Sequence, residues 1–231
     1  MTNFTLLARD RFVLTKQALD SLTQAGTEGM TITILDDRSD QPTRDLLETY
    51  GALRNIKPIG TGQARNIVIA ASEQYYGRGD YLYLSDNDVY FQPLWLPAMV
   101  RVYEFAERYG FKVIGAYNHP FHHPVFTLPV QHPLLGGQLL LIHEVNALAT
   151  QSMLMRWEVW DKYGPFCQTP VDKVCQSEDV DFTNKIRADG GKLGVVSPAL
   201  VVNCGITNSF GEHIPGWEMV KRQAPAGVIV E

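Results

Sequence analysis

No stretch of the chain approaches the roughly 18 consecutive apolar residues that a membrane-crossing helix needs. The opening residues, MTNFTLLARDR, have no basic flank and only a short apolar run, so no signal peptide is expected there. Positive charge is also short: 20 Lys and Arg against 25 Asp and Glu leave a formal net charge of -5. A protein built to grip a polyanion is usually basic, so nucleic acid is disfavoured as a partner, although a local basic groove could still form. Cysteine is scarce. Cys167, Cys175 and Cys204 are odd in number and lack metal-ligand spacing. They are expected as reduced thiols of a cytoplasmic protein, with a Cys167–Cys175 disulfide as the alternative. There is no internal repeat, no low-complexity tract and no linker. A single domain is therefore expected over 1–231, with 1–116 and 117–231 as its two halves.

What is present is an ordinary globular composition, 45% apolar and 19% charged. Strands are expected at Phe4 to Ala8, Thr31 to Leu35, Tyr81 to Leu84 and Lys112 to Ala116. Helices are expected at Phe12 to Ala25, Pro42 to Tyr50, Thr61 to Ser72 and Leu94 to Tyr109. TITIL is continuous and β-branched, as a buried strand should be, and Pro42 suits the first turn of its helix. This alternation predicts an α/β fold with a mostly parallel sheet and crossover helices. Beyond it, Tyr117 to Gln138 is rich in Pro and His and reads as a long loop, a feature that is usually functional. Further strands are expected at Leu139 to Ile142, Ala149 to Met155, Leu193 to Val196 and Leu200 to Val202. Two more helices are expected at Trp157 to Tyr163 and Val180 to Ala188, with a tail after Cys204 that wraps the surface.

In open parallel sheets, ligands bind beyond the carboxyl ends of the strands. Here FTLLA runs into Arg9 and Asp10, TITIL into Asp36, Asp37, Arg38 and Ser39, and YLYL into Ser85, Asp86, Asn87 and Asp88. One acidic turn would be unremarkable, but three deliver acids to one edge. Two carboxylates ~4 Å apart repel by ~4 kcal/mol at an effective dielectric of 20. A divalent metal would offset that at Asp86 and Asp88, and hard oxygen ligands suit Mg²⁺ or Mn²⁺. Arg65, in the first turn of the helix opened by TGQARN, either pairs with a neighbouring acid or points a cation at this edge or at a phosphate. His119, His122 and His123 offer a second metal-binding possibility, though their prolines suit an acceptor-side loop. Trp95 and Trp217 could stack on a sugar, whereas Trp157 and Trp160 read as core.

The segments LARDRFVLTKQALDSL, TILDDRSDQPT, TGQARNIVIAAS, YLYLSDNDV and SEDVDFTNKIRADGGKLGVV occur in that order. Together they resemble the GT-A-fold, family-2-like glycosyltransferases over roughly residues 3 to 205. The resemblance implies a three-layer nucleotide-diphospho-sugar transferase fold. It also implies a role for each matching residue. The main chain at Ala8 and Arg9 would line the base, Asp37 would hydrogen-bond it, and Arg65 would belong to the nucleotide pocket. Asp86 would face the ribose or the metal shell, Asp88 would bind the metal, and His213 would be a third metal ligand. Asp179 would be the catalytic base. It shares a helix face with Phe182 and Ile186, where an inward carboxylate gains basicity, while Glu178 and Asp181 read as first-turn capping acids. Two positions depart from the family pattern: ARDR stands where T-Y-N-R is frequent, and Arg38 stands where glycine is usual. The implied activity is metal-dependent transfer of a sugar, with a UDP-sugar as expected donor, to an acceptor hydroxyl with inversion. The alternatives are modified DNA as acceptor, a non-catalytic nucleotide-sugar-binding module, or a nucleotidylyltransferase. The last would need a Gly-rich loop where ARDRF stands.

Overall fold

The computed structural model describes residues 1–116, 126–131, 139–168, 178–205 and 224–231. In chain order the elements are β1 (Thr2–Ala8), α1 (Phe12–Ala25), β2 (Met30–Asp36), α2 (Gln41–Thr49), β3 (Leu53–Arg54), α3 (Thr61–Tyr76), β4 (Tyr81–Asp86), β5 (Val89–Phe91) and α4 (Trp95–Glu107). Then follow β6 (Phe111–Gly115), β7 (Phe126–Gln131), β8 (Leu139–Val145), β9 (Ser152–Arg156), α5 (Trp157–Tyr163), α6 (Glu178–Ala188), β10 (Lys192–Ser197) and β11 (Val201–Asn203). Nine strands form one sheet in the order β3-β2-β1-β4-β9-β6-β10-β8-β7, so strands from both halves of the chain interleave. Within it only β8 and β9 run against the rest. The expected mostly parallel α/β sheet is therefore present. β5 and β11 pair antiparallel as a separate ribbon.

The period-2 geometry of a strand explains why the central strands are apolar throughout: they are covered on both faces. Phe4, Leu6 and Ala8 of β1 and Tyr81 and Tyr83 of β4 join α1 and α4 in one core. Leu82 and Leu84 of β4 turn the other way, onto Ile69 of α3, Trp157 and Tyr163 of α5, and Phe182 and Ile186 of α6. Helices thus sandwich the sheet in three layers. Trp95 is 1% exposed and packs on Tyr83 and Phe91, so it is a core residue with no face to offer a sugar. Trp217 lies outside the described residues.

The differences from expectation are local. β3 and β5 are two and three residues long, too short to show a period. β7 lies within the stretch expected to be a loop, because Leu128 and Val130 alternate inward from an edge strand. The Phe12–Ala25 helix, by contrast, has the expected bounds. At the far end of the chain, Gln17 on α1 holds Ile229 by two reciprocal bonds, Nε2 to the carbonyl at 3.0 Å and the amide to Oε1 at 2.7 Å.

Candidate active site

The register of β1 sets the site. Ala8 lies beside Asp36 of β2, and Leu7 lies beside Asp86 of β4, so two acidic turns end at one height on either side of it. The Asp37 amide donates to the Ala8 carbonyl at 2.9 Å. Arg9 is exposed, with its side chain 3.9 Å from the Asp10 carboxylate. Asp37 itself is only 3% exposed. Its Oδ1 accepts from Asn55 Nδ2 at 2.7 Å and from the Ile59 amide at 3.2 Å. Asp36 is tied separately, by an ion pair to Arg54 and by the Ser39 amide at 2.6 Å. Arg38 is exposed, with a left-handed backbone at φ 71°.

Arg65 lies almost wholly buried at the start of α3, pairs with Asp86, and reaches the Ser85 carbonyl at 3.4 Å. The two readings offered for it thus meet in one residue: a buried ion pair that sits at the acidic edge. Among the described residues, Arg65 Nε has no hydrogen-bond partner.

Asp88 is 6% exposed and forms an ion pair with Arg11 through Oδ2, while its other oxygen, Oδ1, is buried without a partner among the described residues. Burial pushes its carboxyl up to about 6, the neighbouring Asp86 adds to the rise, and Arg11 opposes it. Between the two acids, Asn87 Nδ2 donates to the Asp10 carbonyl at 3.0 Å and to Thr15 Oγ1 at 2.6 Å, locking this turn to the start of α1. The Cys204 amide donates to the Asp88 carbonyl at 2.7 Å. At the next residue, Gly205, a Cβ would overlap Asp88 Oδ2, so a side chain there would have to push the Asp88 carboxylate and Arg11 aside. The Cys204 thiol is pushed up to about 12, by burial first and by the Asp88 charge second. Cys175, and with it the question of a Cys167–Cys175 bridge, lies outside the described residues.

Asp179 sits in the first turn of α6. Burial pushes its carboxyl up to about 6 and Glu178 adds to the rise; the Val180 amide, donating at 2.7 Å, and the Arg65 charge oppose it, while Asp86 reinforces it. These influences bring Asp179 into one electrostatic neighbourhood with Arg65 and Asp86. Glu178 stands in the first turn of α6, as expected, but it is buried there. It is 2% exposed and faces Gly62 of α3, whose added Cβ would lie 3.3 Å from its own. The reason is the approach of α3, whose Gly62 backbone packs directly over Glu178. Asp181 pairs with Lys185 at 2.8 Å, as its spacing predicted.

Asp86 and Asp88 fit a hard cation in chemistry, and the partnerless Oδ1 of Asp88 is the observation that supports the fit. Among the described residues, no three His, Cys, Asp or Glu side chains group as a complete metal cage. His213, His119, His122 and His123 lie outside those residues. Arg11 carries no signal of its own in the sequence, because its contact with Asp88 spans 77 positions. Among the described residues, no helix is long and apolar enough to cross a membrane.

A three-layer α/β sheet with acids gathered at its carboxyl edge defines the GT-A class of glycosyltransferase folds. The family model "Glycosyl transferase family 2" matches residues 9–144, more than half the chain, and the protein belongs to that family. No curated protein matches it in sequence. Among solved structures, a mannosyltransferase from Pyrobaculum calidifontis in complex with GDP-Man and Mn²⁺ is 12% identical, with a TM-score of 0.55, over 84% of this chain and 56% of that one. GalNAc-T7 with UDP, GalNAc and Mn²⁺ is 14% identical at a TM-score of 0.62, over 87% of this chain and 43% of that one. Glucosyl-3-phosphoglycerate synthase from Mycobacterium tuberculosis, with Mn²⁺, UDP-Glc and phosphoglyceric acid, is 15% identical at 0.53, over 82% and 65%. At such identities the likeness is one of fold. The chain spans 43% to 65% of the length of these structures.

Proposed function

We propose that the protein transfers a sugar from a nucleoside-diphosphate donor to an acceptor hydroxyl, with a divalent metal on the diphosphate and with inversion. The observation that carries this reading is Asp88, a buried carboxylate with one oxygen that no described residue bonds, at the edge where Asp37, Arg65, Asp86 and Asp179 gather. The reading rests on family membership for the class of chemistry and on side-chain geometry for the roles.

Asp37 holds the base. Both its protein bonds fall on Oδ1, which leaves Oδ2 to accept from a base N–H, with the Ala8 and Arg9 main chain alongside. Arg65 orients Asp86 through its buried ion pair. Asp86 and Asp88 would hold Mn²⁺ or Mg²⁺, and His213 would be the third ligand. When bound, that ion supplies positive charge to the diphosphate and stabilises it as the leaving group. Asp179 takes the proton from the acceptor hydroxyl. Its raised carboxyl is basic enough for that transfer yet ionised near neutral pH. The hydroxyl oxygen attacks the anomeric carbon, the bond from that carbon to the phosphate oxygen breaks, and the diphosphate leaves with the electron pair. Attack opposite the leaving group inverts the centre. A UDP-sugar is the donor in this reading, and residues 1–116 form the donor half of a single domain whose acceptor side is 117–231.

The test is isothermal titration of UDP, GDP, CDP and ADP, with and without Mn²⁺, on wild type and on Asp88→Ala. Metal-dependent binding of one diphosphate, lost in the variant, is expected, and it names the donor base. No binding of any diphosphate under either condition would refute the assignment.

A further inference from the structure

The turn that carries Arg11 is built in an unusual way. Asp10 and Arg11 are consecutive non-glycine residues with left-handed backbones, at φ 53° and 60°, a conformation that L side chains resist and that tends to persist at functional sites. The Asp10 carbonyl is pinned from two sides, by Asn87 Nδ2 at 3.0 Å and Thr15 Oγ1 at 3.0 Å. Arg11 occupies the N-cap position of α1 but makes no side-chain cap there. Its guanidinium is instead sent across to Asp88 Oδ2, with the arginine side chain 25% and the aspartate 8% exposed. The Gly205 main chain closes over the pair so tightly that an added Cβ would meet both Asp88 Oδ2 and Arg11 Nη1.

A divalent ion on Oδ1 of Asp88 and a guanidinium on Oδ2 of the same carboxylate would lie close together in a site largely shielded from water, and like charges there repel. A cation that takes the Oδ1 side therefore weakens the Arg11 contact on Oδ2. A planar guanidinium that loses a carboxylate pairs equally well with phosphate oxygens, and those oxygens would arrive with the metal.

We propose that Arg11 is a resident counter-cation of Asp88: it holds the carboxylate in place without metal, and passes to the diphosphate when the metal-bound donor arrives. This rests on the reading of Asp88 as a metal ligand. It makes Arg11 a positioning and donor-binding residue with two opposed effects. Arg11 antagonises the bare metal and assists the diphosphate.

The opposition supplies the test. Arg11→Met and Arg11→Gln are compared with wild type by two measurements: Mn²⁺ alone, from its free paramagnetic resonance signal, and UDP, GDP and pyrophosphate at saturating Mn²⁺, by calorimetry. A thermal melt reports folding, and Gln, which keeps one donor for Asp88, stands in if Met fails to fold. Mn²⁺ alone should bind about tenfold more tightly in the variants, and diphosphate about tenfold more weakly, the scale of one charged hydrogen bond. Parallel weakening of both would mean that Arg11 is merely structural and would overturn the proposal, as would no change in either. If Mn²⁺ binds wild type and is lost in Asp88→Asn while the Arg11 variants match wild type, this inference alone fails. If Mn²⁺ binds neither wild type nor variants in either measurement, the metal reading of Asp88 fails and this inference with it.

Discussion

Asp179 offers the most demanding prediction because its surroundings determine a number. Its carboxyl is pushed from 3.8 to about 6, by burial first and Glu178 second. As general base it must be ionised in the free enzyme, so kcat/KM should rise with pH and level off above a midpoint near that value. One pH unit below the midpoint about a tenth of the base is ionised, so the rate should fall about tenfold per unit on the acid side. Asp179→Asn should lower kcat by about 10² to 10⁴ with nucleoside-diphosphate affinity held, since Asp179 is assigned to the acceptor proton. Glu178→Gln removes a neighbouring negative charge, and the acid limb should then move to lower pH. The assay is a pH series of initial rates on wild type, Asp179→Asn and Glu178→Gln. A variant lacking the Asp179 carboxylate that kept more than a tenth of wild-type kcat would refute the base assignment. A limb that stayed put in Glu178→Gln would refute the electrostatic account of it.

The same carboxylate should weigh on stability. A folded-state value above the unfolded one means that the folded protein holds the extra proton, so this contribution is fully favourable below 3.8 and is lost as pH rises through about 6. Two units at 1.36 kcal/mol each set an upper scale of about 3 kcal/mol, so Asp179→Asn should melt higher than wild type at pH 7.5 and show little gain at pH 4 by calorimetry. Asn55→Ala removes one of the two groups that orient Asp37 and should weaken nucleotide binding about tenfold, with or without Mn²⁺, at the cost of one hydrogen bond to a charged group. Gly205→Ala places a methyl against Asp88 and should impair metal-dependent diphosphate binding, as titration would show, while leaving the Asn55-dependent part intact.

The parts of the architecture that were legible in the sequence are those written in a local period. TITIL and YLYL declare buried strands, the acids that follow them mark the carboxyl edge, and Asp181 with Lys185 is a spacing any helix obeys. β3 and β5 escaped because a period needs more than two or three residues to be seen. The burial of Glu178 was not legible because an acid in a first turn normally faces water, and it is the approach of α3 that covers this one. Arg11 could not have been paired with Asp88 from the sequence. That contact depends on two left-handed residues and a glycine far along the chain, none of which carries a periodic signature.

The register of β1 has a consequence for how this protein can tolerate insertions. β1 lies between β2 and β4 and sets the height of both acidic turns, through Ala8 beside Asp36 and Leu7 beside Asp86. An added residue within β2 would displace Asp37 by about 3.3 Å and reverse which face its neighbours present, yet leave Asp86 in place. The same insertion within β1 would shift the strand against both neighbours at once, unseating the nucleotide and metal ends together. Length changes should thus be survivable in the turns beyond the strands, costly in the flanking strands, and ruinous in the one between them.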